Sequence, residues 1–238
     1  MNELRDIWVY LSASPLLHLT LTLAAFIAAS ALYRRLKMNP LVNPVLLSVI
    51  AIVMLLSLTE TSYQTYFEGA QFVHFLLGPA TVALAIPLYR QFQLVKKSAA
   101  AILISLVCGS VASALSAVLI AWALGASEAS VVSLAPKSVT APVAMGISAQ
   151  LGGLPSLTAV IVILTGIFGA MIGPLLLNLL GVKDWSVRGL AIGTASHGIG
   201  TARALQVNEV AGAFSGLAMG LNALATALLL PVIWKLLF

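Results

Sequence analysis

The sequence predicts an all-α polytopic membrane protein, and its composition is the first reason. Apolar residues make up 61% of the 238 residues and charged residues only 8%, whereas soluble domains carry about 25% charged residues. The mean hydropathy of +1.07 agrees with this. Because so few charges cannot cover the surface of a soluble domain, we expect residues 1–238 to form a single transmembrane domain in a lipid bilayer.

Uncharged runs of membrane-spanning length are the second reason. A helix needs about 20 apolar residues to cross the hydrocarbon core, and the chain divides into about eight segments of suitable composition. The predicted segments are 16–33, 41–59, 70–89, 98–124, 129–151, 156–180, 189–206 and 210–234. Lys and Arg cluster at 34–37 and 90–97, so the positive-inside rule places these two loops in the cytoplasm. The net charge of +5 is therefore a topology signal, and no nucleic-acid partner is expected.

Several segments contain helix breakers and polar residues, which is the third reason and the first indication of function. Irregular backbone at membrane depth is tolerated only where protein or a water-filled cavity satisfies it. Discontinuous helices in corresponding positions of two halves are typical of a transporter's binding site. A packing kink is the alternative, above all for Pro79. The hinge residues expected at these breaks are Pro44, Gly78, Pro79, Pro136, Pro142 and Gly200.

A weak internal two-fold pattern relates residues 16–125 to residues 129–238. Each of these halves contains a proline-rich polar segment, then a broken segment, then a long uncharged helix. The spacing of these features differs between the halves. The pattern therefore suggests a repeat and leaves its handedness open.

Three ionisable side chains lie at the breaks. Because such groups are costly inside a membrane, each is a candidate functional residue. Lys137 has no carboxylate within nine residues except Glu128, so a substrate carboxylate would neutralise it; the alternative is a lysine that snorkels to the interface. His197 could bind substrate or couple a proton, or it could be satisfied by backbone carbonyls. Arg203 could clamp an anion with its forked guanidinium, or anchor the cytoplasmic end of the helix.

Hydroxyl groups accompany these cations and complete the predicted site. The expected substrate-binding residues are Asn43, Lys137, Ser138, Thr140, Thr194, Ser196, His197, Gly198, Thr201 and Arg203. We predict no catalytic residue, metal site or cofactor, because the sequence contains no HExxH, GxSxG or P-loop motif and has one cysteine, Cys108. Coupling to H⁺ or Na⁺ stays open. The chain is therefore not expected to be an enzyme.

The segments 136–142 and 193–203 resemble the signature segments of the LrgB/CidB family. Asn43-Pro44 and the 78–89 stretch also match its pattern, and the similarity extends over residues 15–238. The resemblance implies a multi-pass protein of the bacterial inner (cytoplasmic) membrane with an LrgA/CidA-type partner subunit. The family was described as holin/antiholin-like regulators of murein hydrolase activity and autolysis. Its plant relatives export glycolate and glycerate from plastids, and some bacterial members are linked to pyruvate uptake.

Two functions are consistent with these observations. The first is a secondary transporter of small monocarboxylates or 2-hydroxy acids, of the glycolate, glycerate and pyruvate class, with an anion site at the midplane. The alternative is a holin/antiholin-like modulator of murein hydrolase activity that acts by oligomerising. Small residues recur every four positions along several segments, and they favour helix packing within the chain or between copies. We expect a homo-oligomer.

Overall fold

The computed structural model describes residues 14–39, 42–76, 79, 82–83 and 85–237. All regular elements in this part of the chain are helices. They are α1 (Pro15–Arg35), α2 (Pro44–Leu58), α3 (Tyr63–Phe75), α4 (Ala85–Arg90), α5 (Phe92–Lys97), α6 (Ala99–Ala123), α7 (Glu128–Leu134), α8 (Ala141–Leu151), α9 (Pro155–Leu179), α10 (Trp185–Val207) and α11 (Glu209–Leu237). The chain forms two compact units, residues 1–83 and residues 84–238, and this boundary differs from the division into 16–125 and 129–238.

Four helices, α1, α6, α9 and α11, are long and apolar enough to cross a membrane. They coincide with the predicted segments 16–33, 98–124, 156–180 and 210–234, so the protein is a helical, multi-pass membrane protein. The predicted segment 70–89 falls on parts of α3 and α4, and residues 77, 78, 80, 81 and 84 lie outside the described residues. Eight membrane segments are therefore not confirmed.

The first unit contains α1, α2 and α3. The side chain of Asn43 accepts hydrogen bonds from the backbone N–H groups of Val45 (2.9 Å) and Leu46 (3.2 Å). Asn43 therefore caps α2, and Pro44 occupies the first helical turn, where its missing N–H costs nothing. The hydroxyl groups of Thr22 and Tyr66 lie 2.8 Å apart and join α1 to α3.

In the second unit, α7 and α8 form a helical hairpin, which we call hairpin 1. The Thr158 hydroxyl lies within hydrogen-bond distance of the carbonyl oxygen of Ser133 in α7 (3.1 Å) and of the hydroxyl of Ser148 in α8 (2.8 Å). One side chain can reach both residues only because the two helices lie side by side. Residues 135–140, which connect them, are tip 1. Pro142 is in the first turn of α8, where proline is favoured.

The helix α10 also reverses, and we call it hairpin 2. Backbone angles at His197 are φ 39° and ψ −134°, far from helical values. Gly189 and Gly193 lie against Ala211 and Ser215 of α11 respectively, so the first arm, residues 185–196, runs parallel to α11. The second arm, residues 198–207, must run antiparallel to α11, because the Thr201 hydroxyl also lies 2.9 Å from that of Ser215.

A second measurement confirms the reversal at His197. A Cβ atom built on Gly200 would lie 3.2 Å from the carbonyl oxygen of Ile192. In a straight helix these two residues would be about 12 Å apart along the axis. The arms of hairpin 2 therefore lie against each other, and residues 194–198 are tip 2.

The open ends of the two hairpins lie at opposite ends of the second unit. The connecting helix α9 has 25 residues and a length of about 37 Å, which is enough to cross a bilayer. It begins where hairpin 1 ends and leads to the start of hairpin 2. The segments 129–151 and 189–206 are thus discontinuous where the sequence predicts breaks, but each folds back instead of crossing. The order of a long helix followed by a hairpin occurs twice, in 99–151 and 155–207. The repeat predicted from the sequence, between 16–125 and 129–238, is not confirmed.

Candidate anion-binding site

Lys137 lies in tip 1 with its ammonium group among hydroxyl groups. Its Nζ donates to the hydroxyls of Ser113 in α6 (2.8 Å) and Ser138 (3.3 Å), and these two hydroxyls are 2.7 Å apart. Ser113 is near the middle of α6, so the ammonium is level with the middle of this candidate membrane span. Among the described residues the one ion pair is Arg90–Glu209, at 3.2 Å. The half-buried cation therefore has hydrogen-bond partners and no counter-charge within this part of the chain.

A cavity of about 490 Å³ opens beside this ammonium group. Its polar wall brings together residues from tip 1, α6, α9 and hairpin 2, and apolar side chains of α9 form most of the rest. The polar lining residues are Ser113, Lys137, Ser138, Thr165 and Ser196. The Ser196 hydroxyl is fully buried and, among the residues that the structure describes, accepts and donates no hydrogen bond. The cavity thus offers one cation and the hydroxyls of Ser113, Ser138 and Thr165, while the unused Ser196 hydroxyl is buried in its wall.

Two glycines of α9 let hairpin 2 approach this closely. A Cβ atom on Gly169 would overlap the Ser196 hydroxyl, and a Cβ on Gly166 would lie 2.5 Å from Cε1 of the His197 ring. Any larger residue would push tip 2 away from α9. The sequence pattern of small residues in α9 therefore packs hairpin 2 and shapes one wall of the cavity.

His197 serves the turn of hairpin 2 rather than the cavity wall. Its Nε2 atom lies 2.9 Å from the carbonyl oxygen of Val162 in α9, and its own carbonyl accepts from the Thr201 hydroxyl at 2.8 Å. Its side chain is 5% exposed. This arrangement matches the alternative in which backbone carbonyls satisfy the histidine.

The remaining predicted binding residues do not line the cavity. Thr140 is the N-cap residue of α8, and the Thr194 hydroxyl donates within its own helix to the carbonyl of Leu190 (2.8 Å). Gly198 begins the second arm of hairpin 2. Arg203 lies half-buried further along that arm and does not line the 490 Å³ cavity. Asn43 and the hinge candidates Pro44 and Pro79 belong to the first unit, and Gly78 lies outside the described residues.

Sequence reasoning missed Asn222, which lies at the centre of α11 and is 1% exposed. Its Nδ2 donates to the carbonyl oxygens of Ser138 (3.1 Å) and Thr194 (3.0 Å), and its Oδ1 accepts from the Ser110 hydroxyl (2.6 Å). The available signal was an amide in the middle of the uncharged run 210–234. Buried amides between membrane helices usually hydrogen-bond to a neighbouring helix.

The helix ends at the tips do not add a net positive potential. The helix α8 begins at Ala141, immediately after tip 1, and the second arm of hairpin 2 begins at Gly198. Helix N-termini favour anions, but α7 and the first arm of hairpin 2 end at the same tips with C-termini that favour cations, so the two dipole ends oppose each other. Within the described ranges, no three His, Cys, Asp or Glu side chains form a group that could hold a metal ion. The ability of the cavity to bind a small anion therefore depends on Lys137 and the hydroxyls beside it.

The sequence model of the LrgB-like family matches residues 22–236. The chain belongs to the LrgB-like family. The match includes both hairpins and every residue that lines the cavity, so the candidate site lies within the part that defines the family.

Relatives of this LrgB-like chain are similar over nearly their whole length. The "Uncharacterized protein YxaC" of Bacillus subtilis is 40% identical, with 90% of this chain and 93% of the relative covered. The "Holin-like protein CidB" of Staphylococcus epidermidis is 38% identical over 82% of this chain and 85% of that protein. The protein of the same name from Staphylococcus aureus is 33% identical over 92% and 95%. No solved structure matches the chain.

Proposed function

We propose that the protein is a secondary transporter of small monocarboxylates or 2-hydroxy acids, of the glycolate, glycerate and pyruvate class. The observation that carries the proposal is Lys137, whose ammonium lies on the wall of the cavity and, among the residues that the structure describes, is held by hydroxyls alone. An uncompensated cation in such a place is costly, and a substrate carboxylate would supply the missing charge.

The cavity also suits the rest of such a substrate. Its volume of about 490 Å³ exceeds what a three-carbon acid needs and leaves space for water. Lys137 would bond the carboxylate. The Ser196 hydroxyl is buried against Gly169, so it could bond a 2-hydroxyl or 2-oxo group only after tip 2 moves away from α9.

The placement of the hairpins suggests how access could alternate. Hairpin 1 and hairpin 2 enter from opposite ends of the second unit, and their tips flank the cavity. Movement of one hairpin would open the site to one side of the membrane, while the other hairpin keeps it closed. We propose no coupling ion; uptake driven by imposed H⁺ or Na⁺ gradients would identify one.

Uptake into proteoliposomes tests the proposal. We expect saturable uptake of radiolabelled pyruvate, glycolate or glycerate, with competition among the three acids and none from the uncharged glycolamide. Lys137→Met should lower uptake at subsaturating concentration by about tenfold or more, the loss expected for one charge-assisted hydrogen bond.

The matched control is Lys183→Gln, which removes a lysine from the exposed loop between α9 and α10. This variant should transport like the native protein. Equal uptake by the native protein and Lys137→Met would contradict the proposed site.

A second candidate is the holin/antiholin-like modulator of murein hydrolase activity and autolysis that the family resemblance implies. The name of the staphylococcal relatives, "Holin-like protein CidB", favours its holin-like part. This function would require oligomers that alter permeability, and it assigns no role to the cavity. Release of trapped dyes of different size and charge distinguishes the two. Unselective leakage that is the same in Lys137→Met would support the holin-like function.

The setting of the protein is part of the proposal. We propose a homo-oligomer in the bacterial inner membrane, together with an LrgA/CidA-type membrane subunit. Co-purification with such a subunit from the native host would test the partnership. Uptake by liposomes that contain this chain alone would show that transport does not need the subunit.

A further inference from the structure

Asn222 connects both hairpin tips through one side-chain amide. The two hydrogens on Nδ2 point to the carbonyl oxygens of Ser138 in tip 1 and Thr194 in tip 2, at 3.1 and 3.0 Å. The Oδ1 atom accepts from the Ser110 hydroxyl at 2.6 Å, and that hydroxyl lies 3.2 Å from the hydroxyl of Thr226. The orientation of the amide is therefore determined, because only its nitrogen can serve two carbonyl acceptors.

This side chain is fully buried, with 1% of its surface exposed. A buried amide that loses its partners carries a desolvation cost of about 1–3 kcal/mol. The two tips therefore cannot separate in this conformation without exposing Asn222 to water or leaving its amide unpaired. Both hydrogen bonds to the tips are donated by the same nitrogen, so a displacement of the amide affects both of them.

The bonded carbonyls belong to residues next to the site. Ser138 follows Lys137 directly, and its hydroxyl is 3.3 Å from the Lys137 ammonium. Thr194 is two residues before Ser196, which forms part of the cavity wall. The position of the Asn222 amide thus sets the separation between the cation of tip 1 and the unused hydroxyl of tip 2.

We propose that Asn222 is a positioning residue for the anion site, holding the two hairpin tips at the separation that forms the site. Part of this inference, the effect on substrate affinity, rests on the proposed transport function. The other part, the contact between the tips, can be measured without any substrate.

The experiment measures the accessibility of tip 2. A thiol reporter is introduced by Ser196→Cys in a Cys108→Ser background, because Cys108 is exposed and would react. The reagent is methanethiosulfonate ethylsulfonate, an anionic thiol label, applied to the purified full chain. Asn222→Leu and Asn222→Asp should each speed labelling of the reporter about tenfold, the population change expected when two ordinary hydrogen bonds are lost.

The two variants and one control separate positioning from general loosening. Asn222→Asp keeps the volume and the acceptor for Ser110 but removes the donors to both tips, so it replaces Asn222→Leu if that variant does not fold. Thr158→Val removes a buried hydroxyl that joins α7 to α8 away from the tips. It should lower the melting temperature without speeding the labelling. Labelling rates in both Asn222 variants equal to that of Thr158→Val would overturn the proposal.

Transport supplies the second measurement, without the reporter substitution. Asn222→Leu, which adds no charge that would repel the substrate, should raise the KM for uptake about tenfold, because the groups that bind the substrate no longer lie at the right separation. Thr158→Val should leave this KM unchanged. If the native protein takes up none of pyruvate, glycolate and glycerate, the transport proposal fails, while the labelling rates still decide the role of Asn222.

Discussion

The two hairpin tips solve the same structural problem, reversal inside a membrane, in different ways. Tip 1 uses six residues, 135–140, and it carries the half-buried Lys137. Tip 2 turns at His197 alone, whose φ of 39° lies in the left-handed region and whose ring is fixed to the Val162 carbonyl at 2.9 Å. The longer tip has room to carry a charge, whereas the shorter tip depends on close packing. We therefore expect function to be sensitive at tip 1 and stability to be sensitive around tip 2.

The largest effect on stability should come from Gly193→Ala, on the first arm of hairpin 2. A Cβ atom there would overlap the backbone of Ser215, with the Ser215 Cα 2.7 Å away. Because backbone cannot rotate aside, α10 and α11 must separate, and we expect a loss of about 3 kcal/mol. Thermal unfolding in detergent measures it.

The control for this substitution lies in hairpin 1. A Cβ atom on Gly146 in α8 would have no neighbour within 4 Å. Gly146→Ala should therefore raise stability by up to about 1 kcal/mol, since alanine favours the helix. If the two glycine variants unfold at the same temperature, hairpin 2 is not the more tightly packed of the two.

A smaller effect is expected at the open end of hairpin 2, where Asp184 caps α10. Its carboxylate accepts from the backbone N–H groups of Ser186 (2.7 Å) and Val187 (3.3 Å). Asp184→Ala should cost about 1 kcal/mol, whereas Asp184→Asn, which can also cap, should cost a few tenths. A cost at Asp184→Ala as large as that of Gly193→Ala would show that the tip is not the critical part of the hairpin.

The pH dependence of this cap has a defined sign. The Ser186 hydroxyl, then the backbone N–H groups of Val187 and Ser186, lower the pKa of Asp184 below its ordinary value of 3.8. The charged cap therefore stabilises the protein above pH 3.8, and this contribution is lost as the pH falls through the lowered pKa. The difference in melting temperature between the native protein and Asp184→Asn should shrink over that range.

The smallest effect on stability should come from Lys137→Met in tip 1. Removing a half-buried cation that has no carboxylate partner among the described residues relieves a desolvation cost, and the hydroxyls of Ser113 and Ser138 still bond each other at 2.7 Å. We expect the melting temperature to stay the same or to rise. The free energy of unfolding should increase by at most about 1 kcal/mol. A large loss of stability would show that Lys137 holds the tip together, and that the loss of uptake reflects misfolding.

The candidate site was predictable in its chemistry and only partly in its geometry. Lys137, Ser138 and Ser196 stand out in the sequence because they interrupt apolar runs, and these three residues line one cavity. Arg203 stands out for the same reason and lies elsewhere on the second arm. Ser113 and Asn222 do not stand out as clearly, since a single polar residue in a long helix has no local pattern. Their partners are 24 to 112 residues away along the chain.

The sequence alone determined that this is a helical membrane protein, where its long apolar helices lie, and that the chain breaks within 136–142 and 193–203. These properties follow from local composition, because hydrophobicity and backbone conformation depend on neighbouring residues. Only the tertiary structure decided that the segments around residues 137 and 197 fold back, that they enter from opposite ends, and that Asn222 joins their tips. A break predicts a change of direction but not its angle, since the angle depends on packing against α9 and α11. The glycines at 166, 169, 189 and 193 permit that packing, and what each of them touches is distant in sequence.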